Sequence, residues 1–140
     1  MRAGSPRSAT GAVWPGRRRW LVDGSNVVGS RPDGWWRDGP AAFTRLARHL
    51  TRYAEATGDH VTVVFDGPPL ALTGCQGIEV RNATSADDEL VELVRVDADP
   101  ASLTVVTSDR ALGDRVRQAG ADVLSVRPFR RLIDDAVPAP

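Results

Sequence analysis

Three short apolar stretches of this chain each end abruptly in an aspartate. They are Trp20–Asp23, Val61–Asp66 and Leu103–Asp109. Short runs rich in β-branched residues are typical of strands buried on both faces, as in a parallel sheet. Ligands of an open α/β sheet bind just past the carboxyl ends of its strands. The pattern therefore predicts a group of carboxylates at one edge of a sheet.

Between these stretches, apolar residues recur at the spacing of amphipathic helices. The first helix is predicted from about Pro40 to Ala56, and the second from the N-cap Ser85 to about Val96. A third follows Ser108 or Asp109 as its cap and ends at Gly120, and a short last helix includes Phe129 to Ile133. Each helix thus follows a strand, which is the order of a parallel α/β protein.

Two weaker strands complete the prediction, at Ile78–Val80 and at Asp122–Val126. The segment from Gly24 to Pro40 is expected to be a loop because glycine and proline interrupt it repeatedly. This order predicts an α/β fold with a largely parallel sheet and helices on both faces. Right-handed crossovers would place the first and fourth strands side by side, bringing Asp23 and Asp109 together.

The composition limits the domain organisation and the environment. The 140 residues suffice for one domain with its own core, predicted at residues 20–135. Residues 1–19, rich in Ser, Pro, Gly and Arg, are expected to be a disordered tail, and residues 136–140 a C-terminal tail. The single Cys75 favours a reducing cytoplasm, and no apolar stretch is long enough to cross a membrane.

The charge pattern restricts the partners. The formal net charge is zero, which argues against a general polyanion-binding protein but allows a local basic patch. All 18 basic residues are arginines, so a phosphate-binding loop built around a lysine is excluded.

Clustered carboxylates repel one another unless a proton or a cation neutralises them, so we expect a bound Mg²⁺ or Mn²⁺ and phosphodiester chemistry. The candidate metal ligands are Asp23, Asp87, Asp109 and Asp114. Asn26 is a further candidate catalytic residue that could orient water or a phosphate. Supporting or rim positions are Asp66, Asp88 and Ser108.

Several of these acids also have a purely structural interpretation. Asp87 and Asp88 would favour a helix N-terminus through the macrodipole, and Asp109 would serve as a helix cap. Asp114 could be an ordinary surface acid. Asp23 is the hardest to explain structurally, because an aspartate directly after a buried strand desolvates a charge for no gain in stability.

Aromatic and basic residues near the predicted site are candidates for binding single-stranded RNA by stacking and by phosphate contacts. They are Trp35, Trp36, Arg37, Arg110 and Arg115. The tryptophans could equally pack the loop onto the sheet edge, and the arginines could pair with the neighbouring acids.

Four segments in order resemble the NYN domain, the PIN-like ribonuclease group that includes the YacP proteins. They are Leu21–Val27, Val63–Gly67, Ser85–Leu90 and Val105–Asp109. The resemblance implies a three-layer α/β/α PIN-like fold and a metal-dependent endoribonuclease. By position, it assigns Asp23, Asp87 and Asp109 as the acids of the site and Asn26 as the asparagine that follows the first of them. Asp66 matches an acid nearer the rim, and Asp114 is the weaker match to the last acid.

Three other functions remain open from the sequence. One is a catalytically weak or inactive module on the same fold that binds RNA or a protein. A phosphatase of the haloacid-dehalogenase type would need a second aspartate in Asp23-Gly24-Ser25, which is absent. A toxin of a toxin–antitoxin pair is the third. Whichever function applies, the sequence leaves protein partners and a homodimer open.

Overall fold

The computed structural model has one five-stranded parallel sheet at its centre. It describes residues 18–30 and 39–138. The strands lie in the order β3-β2-β1-β4-β5, and every neighbouring pair is parallel. Their bounds are β1 Arg19–Asp23, β2 His60–Asp66, β3 Glu79–Ala83, β4 Leu103–Val106 and β5 Asp122–Leu124. The predicted adjacency of the first and fourth strands is confirmed, with Val22 opposite Val106.

Within residues 18–30 and 39–138, five α-helices and one 3-10 turn at Pro100–Ser102 connect and cover the strands. Their bounds are α1 Gly24–Gly29, α2 Gly39–Thr57, α3 Ala86–Val96, α4 Arg110–Gln118 and α5 Val126–Ala136. The predicted caps are confirmed, since the side chain of Ser85 accepts a hydrogen bond from Asp88 N and that of Asp109 accepts one from Leu112 N. None of the helices in the described part of the chain is long and apolar enough to span a bilayer.

Alternate residues of the strands bury their side chains in two separate cores, one on each face of the sheet. On one face, Val22, Val63 and Phe65 pack with residues of α1, α2 and α5. On the other, Leu21, Val64 and Val105 pack with residues of α3 and α4. Central strands buried on both sides read as continuous apolar runs, which is why the sequence shows no polar alternation there. The fold has three layers, as expected.

The prediction of a loop directly after the first strand is wrong for residues 24–29, which form α1. Glycine and serine are poor helix formers, so this segment carries no helix signal of its own. A local cap and a tertiary contact hold it instead. Asp23 caps the helix by accepting a hydrogen bond from Asn26 N. Gly24 lies so close to the ring of Phe65 that a Cβ there would collide with it.

The weaker elements also differ from their predicted lengths. β3 starts one residue later than expected and extends to Ala83, because it pairs with β2 along its whole length. β5 ends at Leu124 rather than Val126, since Ser125 already caps α5. The short link between β5 and α5 fixes the start of that helix beside the end of β4.

Candidate functional site

Asp23 lies at the carboxyl end of β1, where the chain connections to the two halves of the sheet diverge. Its residue is only 4% exposed, although it carries a carboxylate. Burial raises the pKa of Asp23 from 3.8 to about 6, and the neighbouring charges of Asp87 and Asp66 act in the same direction. Hydrogen bonds from Thr107 and from the backbone of Asn26 oppose this rise only in part. The protein therefore holds a carboxylate where burial and like charge both penalise its ionisation.

Two hydrogen bonds fix the orientation of the Asp23 carboxylate. Asn26 N donates to Oδ1 over 3.3 Å, and Thr107 Oγ1 donates to Oδ2 over 2.9 Å. Thr107 Oγ1 also accepts a hydrogen bond from Asp109 N over 3.1 Å. The Thr107 hydroxyl thus links the strand-end aspartates of β1 and β4.

The side chain of Asn26 joins the same two strand ends from the other direction. Its Oδ1 accepts a hydrogen bond from Ser108 N over 2.8 Å. Ser108 Oγ in turn accepts one from Val126 N over 3.0 Å, which ties in the start of α5. Ser108 therefore connects Asn26 to the start of α5, and the Nδ2 group of Asn26 is left to donate a hydrogen bond.

Asp66 ends the neighbouring strand β2, and its carboxylate faces the start of α3. Its Oδ1 accepts a hydrogen bond from Ala86 N over 2.8 Å, and its own backbone N–H donates to Ser25 Oγ over 3.1 Å. The structure gives Ser25 a positioning contact between α1 and β2, for which the sequence offers no signal.

Asp87, in the first turn of α3, lies within electrostatic reach of the strand-end acids. Desolvation raises the pKa of Asp87, and the charges of Asp109, Asp66 and Asp88 raise it further, whereas that of Arg115 lowers it. Asp23, Asp66, Asp87 and Asp109 are therefore near one another at the carboxyl edge of the sheet. We call these four residues the carboxylate group.

The contacts of Asp114 do not bring it to the carboxylate group. Its side chain is 72% exposed, and the nearest cation is Arg117, 3.8 Å away on the same helix. Asp88 is also exposed, and it forms an ion pair with Arg115 over 3.0 Å. Arg110 is exposed directly after the cap Asp109. Trp35, Trp36 and Arg37 lie outside the described residues.

The donor set of the carboxylate group suits Mg²⁺ or Mn²⁺, which prefer oxygen ligands. Across residues 18–30 and 39–138, no three His, Cys, Asp or Glu side chains are already arranged to bind one ion together. Mg²⁺ usually keeps several waters and takes only one or two protein carboxylates, so a closed cage is not required. The buried Asp23 is the observation that fits a cation, because burial first and the neighbouring acids second raise its pKa, and a bound cation would offset both effects.

Comparisons with known proteins agree with the α/β fold. The family model of the YacP-like NYN domain matches residues 20–138. The fold is similar to crystal structures of Rae1 (YacP) from Bacillus subtilis. A tryptophan-to-leucine mutant of that protein has a TM-score of 0.73 and 26% identity, over 85% of this chain and 76% of that one. A second crystal structure of Rae1 gives a TM-score of 0.72 and 24% identity, over 84% of this chain and 74% of that one.

No curated protein sequence gives a significant match. The family model nevertheless covers nearly all of the described chain, and the structural likeness covers 85% of the chain. The chain belongs to the YacP-like NYN domain family, a group of PIN-like nucleases.

Proposed function

We propose that this protein is an endoribonuclease that cuts single-stranded RNA with the help of Mg²⁺ or Mn²⁺ bound at the carboxylate group. The observation that carries the proposal is Asp23, a buried carboxylate whose pKa is raised to about 6 beside Asp66 and Asp87. Strongly perturbed acids in a shared site are more typical of function than of stability. Membership of a family of PIN-like nucleases supports this reaction class.

Asp23, Asp87 and Asp109 are the proposed ligands. When bound, a divalent ion would supply positive charge against the negative charge that develops on the scissile phosphate. Asp66 adds negative charge from the rim, and its bond to Ala86 N holds the start of α3 in place. Asp114 is not included, because its exposed ion pair turns it toward Arg117.

The hydrogen bonds around the carboxylate group provide the orientation that such chemistry needs. Thr107 holds Asp23 and the backbone of Asp109 at once. Asn26 is fixed through its Oδ1 by Ser108 N, which leaves its Nδ2 to donate to a phosphate oxygen. Fixed donors of this kind stabilise charge without reorganisation during the reaction.

The single Cys75 suits a reducing compartment, and we infer a cytoplasmic location.

The test is cleavage of a labelled, unstructured RNA with and without Mn²⁺ or Mg²⁺. Asp109→Asn is the most informative variant, because asparagine caps a helix about as well as aspartate and the fold should be retained. We expect metal-dependent cutting by the wild type and a loss of at least about a hundredfold in this variant. Asp122→Asn, at the opposite edge of the sheet, is the matched control and should cut normally.

Cutting that persists in EDTA, or that is equal in Asp109→Asn and wild type, would contradict the proposal. RNA binding without cutting at any metal concentration would instead indicate a binding module on the same fold. The two results are separated by measuring binding and cleavage on the same RNA.

A further inference from the structure

The outer surface of the α3 and α4 layer carries a cleft of about 300 Å³. Its lining residues are Val91, Arg95, Arg115, Gln118 and Ala119. No acid is among them, although Asp and Glu are as frequent as Arg in the chain as a whole. We call this feature the α3/α4 cleft.

The polar side chains of the α3/α4 cleft are suited to an anion. Arg95 and Arg115 offer only hydrogen-bond donors, and the Gln118 amide can donate as well. Arg95 is exposed and has no hydrogen-bond or ion-pair partner within the described part of the chain. Two guanidinium groups in one recess match the charge and geometry of phosphate.

Arg115 is already paired, but with a partner that it can exchange. Its ion pair with Asp88 joins side chains that are 46% and 71% exposed. Exposed pairs of this kind contribute little to stability, so an incoming phosphate can replace Asp88 at small cost.

The position of the cleft relates it to the carboxylate group. Asp88 directly follows Asp87 in the first turn of α3, and Arg95 lies in the last turn of the same helix. The seven residues from Asp88 to Arg95 correspond to about 10 Å along the helix axis. Arg115 lines the cleft, forms an ion pair with Asp88 and lowers the pKa of Asp87, so the cleft lies along α3 on the path that leads away from the carboxylate group.

We propose that the α3/α4 cleft binds phosphates of the RNA strand next to the one that is cut, with Arg95 as the outer contact. This inference rests on the proposed nuclease function, and it assigns one side of the substrate path. It makes Arg95 a binding residue without a part in the chemistry. The contact is to the RNA backbone and is independent of base sequence.

The test measures binding of fluorescein-labelled oligouridine by fluorescence anisotropy across a KCl series. All proteins carry Asp109→Asn, which prevents cleavage and keeps the α4 cap. Arg95→Gln is compared with Arg48→Gln, which removes one exposed arginine from α2 on the other face of the sheet. Thermal unfolding followed by circular dichroism verifies that both variants are folded.

Loss of one phosphate contact on a single strand makes the negative slope of log K against log salt shallower by about 0.7. This change in slope corresponds to about fivefold weaker binding near 0.1 M salt. We expect both effects in Arg95→Gln and neither in Arg48→Gln. An unchanged slope in Arg95→Gln would overturn the inference and leave Arg95 a role at the helix C-terminus only. That result is independent of whether the wild type cuts RNA, which tests the proposed function separately.

Discussion

Replacing Asp23 with asparagine should stabilise the metal-free protein, and by more as the pH rises. The folded state raises the pKa of Asp23 from 3.8 to about 6, so it binds the proton more tightly than the unfolded state does. The penalty for ionising this buried group is absent below about pH 4, grows as the pH rises and is complete above about pH 6. The difference between 3.8 and about 6 corresponds to about 3 kcal/mol at neutral pH.

The asparagine loses part of this gain through its hydrogen bonds. Its Oδ1 can still accept from Asn26 N, but its amide must donate to Thr107 Oγ1, which now has to accept instead of donate. We assign about 1 kcal/mol to this rearrangement. The cost is independent of pH, so the variant should be about 2 kcal/mol more stable than wild type at about pH 8.

Urea unfolding in EDTA at about pH 4.5 and about pH 8 measures both the penalty for ionising Asp23 and the cost of rearranging its hydrogen bonds. Because the unfolded aspartate is already largely ionised at the lower pH, the stability advantage of Asp23→Asn should grow by about 2 kcal/mol between the two conditions. Asp122→Asn controls for loss of an exposed charge, and its effect is subtracted. An advantage that stays constant across this range would refute the idea that burial destabilises the charged form of Asp23.

Three further predictions concern the surroundings of this residue. Gly24→Ala should destabilise the fold by about 1–3 kcal/mol in thermal unfolding, because its Cβ collides with Phe65, whereas Gly39→Ala has open space and should be tolerated. Saturating Mg²⁺, at about a hundred times its Kd, should stabilise the wild type by about 2.7 kcal/mol at pH 8, and equal stabilisation of Asp87→Asn would exclude that residue from the ion site. Asp114→Asn should retain cleavage within about twofold, since its side chain is exposed away from the group, and a loss as large as for a ligand would restore it to the site.

The arrangement of the sheet could be predicted because it depends on features that are local in sequence. Apolar runs mark the buried strands, and the general handedness of crossovers then places β1 beside β4. The apolar runs and the crossover handedness are enough to predict that Asp23 lies at the carboxyl end of a central strand. The cap of α4 at Asp109 was equally readable, because capping uses a residue type and its immediate neighbours.

The remaining features depend on contacts between distant residues. The helix α1 has no periodic signal, and besides its local cap at Asp23 it depends on Phe65 of β2, whose ring covers Gly24. The hydrogen bond from Ser108 N to Asn26 Oδ1 joins residues 82 positions apart, so no spacing in the sequence predicts it. Asp114 was a plausible ligand from its residue type and its place on α4. Those two properties do not tell whether its side chain faces the carboxylate group.

The central place of β1 in the sheet has a consequence for the order in which the protein acquires its chemistry. β1 is made first among the strands, but its partner β4 is synthesised about 80 residues later, as the register of Arg19 with Leu103 shows. Thr107, which orients Asp23, and Asp109 come later still. A growing chain therefore carries separate, unoriented aspartates, and an incomplete polypeptide released early lacks the assembled site. In this topology the proposed nuclease site is complete only when the whole domain has been made, so we expect a premature fragment not to cut RNA.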